Sequence, residues 1–524
     1  MTRKKWLLTG AITFSLGLTG LFVAASVLRT RFEPYIRDQA VAWLRTRFDS
    51  DVQLTALHVH LGATSPLRLL RNRGRGTLAQ VEGSGLVLRP RVRRDLPPVV
   101  SLRHFSFAVD VGGLFDSPRR IARVTLDGME LNIPPKGERA GLTPAGSGSG
   151  ETGAVEIDEV FATNTTLRIL PKEEGKKPLI FDISRLLLRS VGKSAPLYYE
   201  ALLINPKPPG VIHSKGDFGP WSADDPGDTP LKGTYTFDDA DLGIFKGIAG
   251  ILHSTGSFEG SLSAITAQGE ARVPDFRLKG SGNRVPLSTT FEVLVDGGNG
   301  NTILKPVQAV LGSTKFSTSG GVIRQEGETR RTISLRVSMP AGNMEDVLRL
   351  AMKGPPFMSG TLALSSSIEI PPLAQTVREK LDLDGTFAIR NGRFLRSAVQ
   401  DKIDSLSRRG QGEPGNEDIA RVFSDMKGSF RLDDQVISFR SLSFSTPGAV
   451  VKLAGNYNLA SELLDFHGSL ALQARVSQTM TGWKHWALIP VDPFFAKNGA
   501  GTFLRIKIGG TAKSPDFGLD HGRK

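Results

Sequence analysis

Between Gly428 and Asp520 one local pattern recurs. A glycine is followed by a small or polar residue, and then by a run in which apolar and polar side chains alternate. The copies begin Gly428-Ser429-Phe430, Gly455-Asn456-Tyr457, Gly468-Ser469-Leu470 and Gly501-Thr502-Phe503. A period of two places successive side chains on opposite faces of a strand. In the last copy Leu504, Ile506 and Ile508 share one face, and Phe503, Arg505 and Lys507 share the other. Glycine suits tight turns, so each glycine is expected in a turn. The stretch then reads as an antiparallel meander, apolar on one side and polar on the other.

The same alternation extends upstream. Ile333, Leu335, Val337 and Met339 form one series, and Leu362, Leu364, Ile368 and Ile370 another. Phe105, Phe107 and Val109 make a face near the N-terminus. The phase of Val124 and Leu126 changes to that of Met129, Leu131 and Ile133 across Gly128, which predicts a bulge. Helical spacing is rarer. Asn343–Lys353 reads as a helix capped by Asn343 and stopped by Gly354-Pro355, with Met344, Val347, Leu348 and Ala351 as its apolar stripe. Leu242–Leu252 reads as a short helix packed on the sheet, with a buried strand pair as the alternative, and Arg396–Lys427 as two helical pieces broken at Gly410–Gly415.

With 524 residues the chain is too long for one ordinary core. It has 58 glycines and 31 prolines, enough for many turns. It has no cysteine, which excludes disulfides and thiolate metal sites. The net charge of +14 has no nucleic-acid-binding module beside it, so anionic lipid is the better match. Trp6–Leu28 carries no charge and, at 1.5 Å per residue, is long enough for a bilayer core of about 30 Å. It reads as an uncleaved anchor behind a short N-terminus, residues 1–5, that holds Arg3, Lys4 and Lys5. Glu33–Phe48 follows as an amphipathic helix, placed either on lipid or as a plug over the first strands. Ala140–Gly153 reads as a flexible linker.

No nucleophile elbow, zinc-protease motif, Walker loop or complete dinucleotide fingerprint occurs. His58 and His60 share a strand face, but two donors do not complete a metal shell. The carboxylate pairs Asp224-Asp225 and Asp238-Asp239 read as turn residues. The sequence therefore points to no enzyme, no cofactor and no metal site. Trp43, and Trp483 and Trp486 of the Trp483-Lys484-His485-Trp486 cluster, are candidates for a membrane interface.

The runs Phe430–Asp434, Phe444–Tyr457 and Ile508–Phe517 resemble the C-terminal region of the AsmA family. These are bacterial inner-membrane-anchored envelope proteins related to TamB and to bridge-like lipid-transfer proteins. The likeness is clearest over about the last 300 residues. It implies a mainly β fold: an elongated, curved antiparallel sheet with a few short helices and an N-terminal transmembrane helix. It divides the chain into an anchor (6–28), an N-terminal β region (30–139), a linker (140–153), a central β-groove region (154–354) and a C-terminal β region (355–524). It places the bulk of the chain in the periplasm. It further implies that Ile333, Leu335, Val337, Leu362, Leu364, Ile368, Ile370, Leu504, Ile506 and Ile508 line a groove for phospholipid. The partners it implies are membrane phospholipids and other envelope proteins, not nucleic acid. The competing expectation is a non-enzymatic scaffold for outer-membrane protein assembly.

Overall fold

In the computed structural model of the chain, strands make up 64% of the described residues and helices are few. The structure describes residues 50–62, 75–90, 97–115, 118–133, 155–170, 178–192, 195–220, 226–297, 299–325, 330–481 and 501–520, with isolated positions between them. The expected anchor at 6–28, the linker at 140–153 and Trp43, Trp483 and Trp486 lie outside the described residues. Among the described residues no helix is long and apolar enough to cross a membrane. The chain divides into two compact units, residues 1–238 with 257–262, and residues 239–256 with 263–524. The division falls within the stretch read as a single central region.

The first unit is a sheet whose strands pair in chain order: β1 (Ser50–Leu61), β2 (Leu78–Pro90), β3 (Val100–Asp110), β4 (Arg119–Ile133), β5 (Val155–Ile169), β6 (Leu179–Val191), β7 (Leu197–Pro206), β8 (Pro209–Phe218) and β9 (Pro230–Asp241). All these pairs are antiparallel except β4–β5, which is parallel, with Arg119 opposite Val155 and Ile133 opposite Ile169. Its core gathers Leu54, Leu57 and Val81 under Phe105 and Phe107. Residues 34, 37, 38, 40–42, 44 and 45 are helical, as the spacing of 33–48 predicts. Val41 packs on that core, and the Arg37 guanidinium donates to Leu54 O at 2.8 Å.

The phase change at Gly128 is present, but it is not a bulge with one extra residue. Leu102 faces Met129 and His104 faces Asp127, so the register is unbroken. Instead, every strand skips together. Thr55, Gly85, Arg103, Gly128 and Asn164 lie opposite one another in a line across β1 to β5. Gly85 and Gly128 both have φ +65° and Asn164 has φ +51°. These left-handed residues on β2, β4 and β5 turn the pleat over, so the apolar side chains stay on one face.

The second unit opens with a two-stranded ribbon, β10 (Ile248–Ala249) and β13 (Arg277–Leu278). The expected helix at Leu242–Leu252 is absent. A single 3-10 turn, Leu242–Ile244, is capped by Asp241, whose Oδ1 accepts from Gly243 N–H, and the chain then turns to strand. Gly247 at φ +95° and Gly250 at φ +139° are incompatible with a continuing helix. Residues 251–256 of β11 (Ile251–Ser261) join β12 (Ala264–Val273) through Ser254 Oγ, which donates to Glu270 O at 2.9 Å. An antiparallel series follows: β14 (Leu287–Val295), β15 (Thr302–Leu311), β16 (Thr314–Ile323), β17 (Thr332–Asn343), β18 (Met358–Ile370), β19 (Asp382–Phe394), β20 (Ser424–Asp433), β21 (Val436–Thr446), β22 (Ala449–Asn458), β23 (Leu464–Leu472), β24 (Thr502–Gly510) and β25 (Pro515–Leu519).

Two helices close strand ends of this unit. α1 (Met344–Ala351) is capped by Asn343, whose Oδ1 accepts from Glu345 N–H at 2.9 Å. Met344, Val347 and Leu348 pack with Met339, Met358, Leu362 and Ile389, whereas Ala351 faces solvent and is not part of the stripe. α2 (Ser397–Gln411) ends at Gly412, φ +80°. The second expected helical piece does not form. Residues 412–423 are turns and bends, and 424–427 already belong to β20. Asp404 of α2 holds that segment by accepting from Arg421 N–H at 2.7 Å and Val422 N–H at 3.0 Å.

Asp346 of α1 plays the same part for the β15–β16 turn. It accepts from Ser313 N–H at 2.8 Å, Ser313 Oγ at 2.7 Å and Thr314 Oγ1 at 3.0 Å. Burial by itself would raise its carboxyl pKa, but these bonds and nearby Arg349 outweigh burial and hold it below the ordinary carboxylate range. A carboxylate depressed in the folded state stabilises fully above the unfolded value of about 4 and loses that contribution as pH falls through its folded value. Asp346→Ala is expected to lower the unfolding free energy by about 2–4 kcal/mol, because buried donors lose their acceptor. Denaturant titration of Asp346→Asn against pH should also show a shallower acid limb than the parent.

Candidate functional site: the two faces of the second sheet

Alternation along each strand and register between strands together decide which residues share a face. Leu335 of β17 lies opposite Ile368 of β18, Ile368 opposite Leu383, Leu383 opposite Leu432, Leu432 opposite Ile437, Ile437 opposite Tyr457, and Tyr457 opposite Leu464. This is an unbroken apolar row across seven strands. At about 4.8 Å per strand it runs roughly 29 Å. Ile333 pairs with Ile370, and Met339 with Leu364. At the far side Leu504 faces Leu470 and Ile508 faces Phe466. The register brings all ten positions expected to line a groove, Ile333 to Ile508, onto one face of one sheet.

Of those ten, Leu362 alone is buried, at 5% exposure, where α1 covers it. The other nine are partly buried. The face grows more open toward β25, whose Phe517 and Leu519 stand opposite Ile508 and Ile506 and are 69% and 49% exposed.

Four phenylalanines occupy the middle of this face. Phe387 lies 6.2 Å from Phe430 and 6.4 Å from Phe439, and Phe439 lies 5.8 Å from Phe466, measured between ring centroids. Their neighbours explain the recurring glycines, and they correct the sequence reading. Gly428, Gly455 and Gly468 sit inside β20, β22 and β23, not in turns. A Cβ on Gly428 would lie 3.0 Å from Phe387 Cε1 and 2.6 Å from Ser441 O, and one on Gly455 would lie 2.6 Å from Phe466 Cα. A Cβ on Gly468 would press into the Lys452 carbonyl. Absent side chains let strands close up beneath the rings. The turns are made by other residues: Asp434 and Gln435 at φ +44° and +63°, Gly448 at +84° and Glu462 at +60°.

The opposite face is polar. Lys427 of β20 faces Ser443, which faces Lys452, then Ser469, then Arg505 of β24. An open concavity of about 1220 Å³ covers much of this side, lined by Ser338, Ser365, Thr386, Lys427, Ser443 and Lys452 among others. In the first unit His58 and His60 are exposed on one strand face, opposite Glu82 and Gln80. Asp127 there accepts from Asn164 Nδ2 at 2.7 Å and Thr163 Oγ1 at 3.0 Å, which holds its carboxyl below the ordinary range.

The apolar face thus has the chemistry of a surface that takes up hydrocarbon. It presents partly covered aliphatic and aromatic groups, and its buried Ser366 hydroxyl is satisfied by Asp384 O at 3.1 Å. The cross-strand pairing of glycine with ring was not legible from single strands, because partners eleven or more residues apart meet only once register is set. Gly468→Val should cost about 1–3 kcal/mol of stability through overpacking against the β22 backbone, read from its denaturation midpoint. A comparable loss is not expected for Gly415→Val, since nothing lies within 4 Å of that site.

Comparison of the chain with protein-family models, with curated proteins and with solved structures finds no match in any of the three.

Proposed function

We propose that this chain is an AsmA-like envelope protein whose second unit holds or conducts phospholipid along the apolar face of β17–β25. In this reading the 6–28 segment anchors it in the bacterial inner membrane, the bulk lies in the periplasm, and the protein contributes to outer-membrane lipid homeostasis. The observation that carries the proposal is the unbroken row Leu335–Ile368–Leu383–Leu432–Ile437–Tyr457–Leu464, whose members other than Leu432 are only partly buried. Apolar surface left at that exposure is best satisfied by hydrocarbon.

The energetics support the reading. Each methylene withdrawn from water contributes about 0.8 kcal/mol, so an acyl chain of about fifteen carbons resists entering water by roughly 12 kcal/mol. A continuous apolar surface removes most of that barrier and needs no catalytic group. A headgroup can stay in water at the strand ends.

A photoreactive amino acid placed singly at Leu335, Ile368 and Leu383 should crosslink diacyl lipid in membranes. The adjacent Arg336, Ser367 and Asp384, on the other face, should not. Gently purified protein should also release phospholipid on mass spectrometry. Lipid-free protein together with equal labelling on both faces would sink the proposal.

A second reading rests on β25. It pairs with β24 alone among the described residues and exposes Phe517 and Leu519. Such an edge suits a scaffold that adds a partner strand during outer-membrane protein assembly. Crosslinks from Phe517 to protein, with none from the Leu335 row to lipid, would favour it.

A further inference from the structure

The face turned away from the apolar row has a chemistry of its own. Along it run Lys427, Ser443, Lys452, Ser469 and Arg505, one from each of five successive strands in direct register. Cations therefore recur on every second strand, about 10 Å apart, with a serine hydroxyl between each pair. Lys507 lies two residues beyond Arg505 on the same face.

What distinguishes this row is its regular spacing, which runs up to Asp520, whose backbone N–H donates to Arg505 O at 3.0 Å. Some cations on the sheets meet acids across strands, Arg123 with Glu159 at 2.6 Å, Arg168 with Glu130 at 2.7 Å, and Lys232 with Asp217 at 3.3 Å. Among the described residues no carboxylate comes within 4.0 Å of Lys427, Lys452, Arg505 or Lys507. The 1220 Å³ concavity that Lys427 and Lys452 line has no aspartate or glutamate in its wall. Its other two basic residues are already engaged, Arg440 with Asp384 at 3.7 Å and His467 with Asp520 at 3.1 Å.

Lys427, Lys452 and Arg505 are exposed, so the row is open to a ligand whose anions repeat at the same interval. The lining between them carries hydroxyls, Ser365, Thr386, Ser429, Ser441, Ser443 and Ser469, set among small apolar groups such as Ala363, Ala388 and Val450. Each hydroxyl both donates and accepts, as do those of a sugar. Lysine serves as a point charge for phosphate. A flat bilayer would contact the rim of a concave surface and leave this floor unused.

We propose that the polar face of β20–β24 binds an anionic saccharide, its phosphate groups about 10 Å apart set on Lys427, Lys452 and Arg505 and its hydroxyls on the serine floor. The inference does not depend on the lipid proposal, since it concerns the other face and a soluble ligand.

Calorimetric titration of the full chain with a disaccharide carrying two phosphates, and with the same disaccharide lacking them, tests it. The phosphorylated sugar should bind, and its affinity should fall about tenfold or more from low to high salt. The Lys427→Gln/Lys452→Gln double variant, which keeps both positions polar and removes both charges, should lose about tenfold in affinity at an unchanged melting temperature. Equal binding of the two sugars, or no loss in the double variant, would overturn the proposal. So would inorganic phosphate binding as tightly as the disaccharide. Binding confined to phosphatidylglycerol vesicles would overturn it too, and would assign the row to a membrane surface instead. A folded Leu335→Asp/Ile368→Asp variant should retain sugar binding while losing lipid crosslinks, so the two faces fail separately.

Discussion

Register between antiparallel strands is the constraint on which both faces of the second sheet depend. Alternation sorts side chains within one strand only. Whether Leu335 meets Ile368 or Ser367 is settled by hydrogen bonding between β17 and β18. A slip of one residue would move each apolar side chain to the polar face, so the turns and clamps that fix register do more for the site than any single contact on it. The β20–β21 hairpin is set by two left-handed residues, Asp434 and Gln435. The β15–β16 hairpin is set by Asp346, which draws Ser313 and Thr314 onto α1. A buried carboxylate is expensive unless hydrogen bonds satisfy it. Here each of those bonds also removes a competing register.

Glycine and phenylalanine form the second layer of specification. Gly428, Gly455 and Gly468 weaken their strands, since they bring entropy and no side chain to pack. The rings of Phe387, Phe439 and Phe466 offset that cost by spreading across strands at centroid distances near 6 Å. The result is a surface whose middle is partly filled by its own aromatic groups, with the aliphatic row Leu335–Leu464 beside it.

The two faces differ in what they leave unsatisfied. On one side apolar area remains partly in water, and on the other Lys427, Lys452 and Arg505 have no carboxylate within 4.0 Å among the described residues. Both are conditions for binding. One sheet thereby separates a hydrocarbon-compatible surface from a cationic, hydroxyl-lined one by the thickness of a single layer, and sequence alternation is enough to keep the two apart.

Much of this was legible in the chain itself. The alternating series at 333–339, 362–370 and 504–508 named the apolar face residue by residue, and Asn343 marked its helix, because both signals are local and repeat at the backbone's own period. Other readings went astray where distant partners prevail. Gly428, Gly455 and Gly468 look like turn residues until the neighbouring strand shows that a Cβ would strike a carbonyl or lie beneath a ring. Residues 412–423 have helical flanks, yet Asp404 takes the Arg421 and Val422 amides and ends that possibility. The line of kinks from Thr55 to Asn164, and the cationic row on β20–β24, exist only as juxtapositions of five strands. The sequence by itself determined which side of each strand is apolar, since that follows from a period of two. Only the tertiary structure decided which strands stand side by side, because that choice rests on hydrogen bonds between residues far apart in the chain.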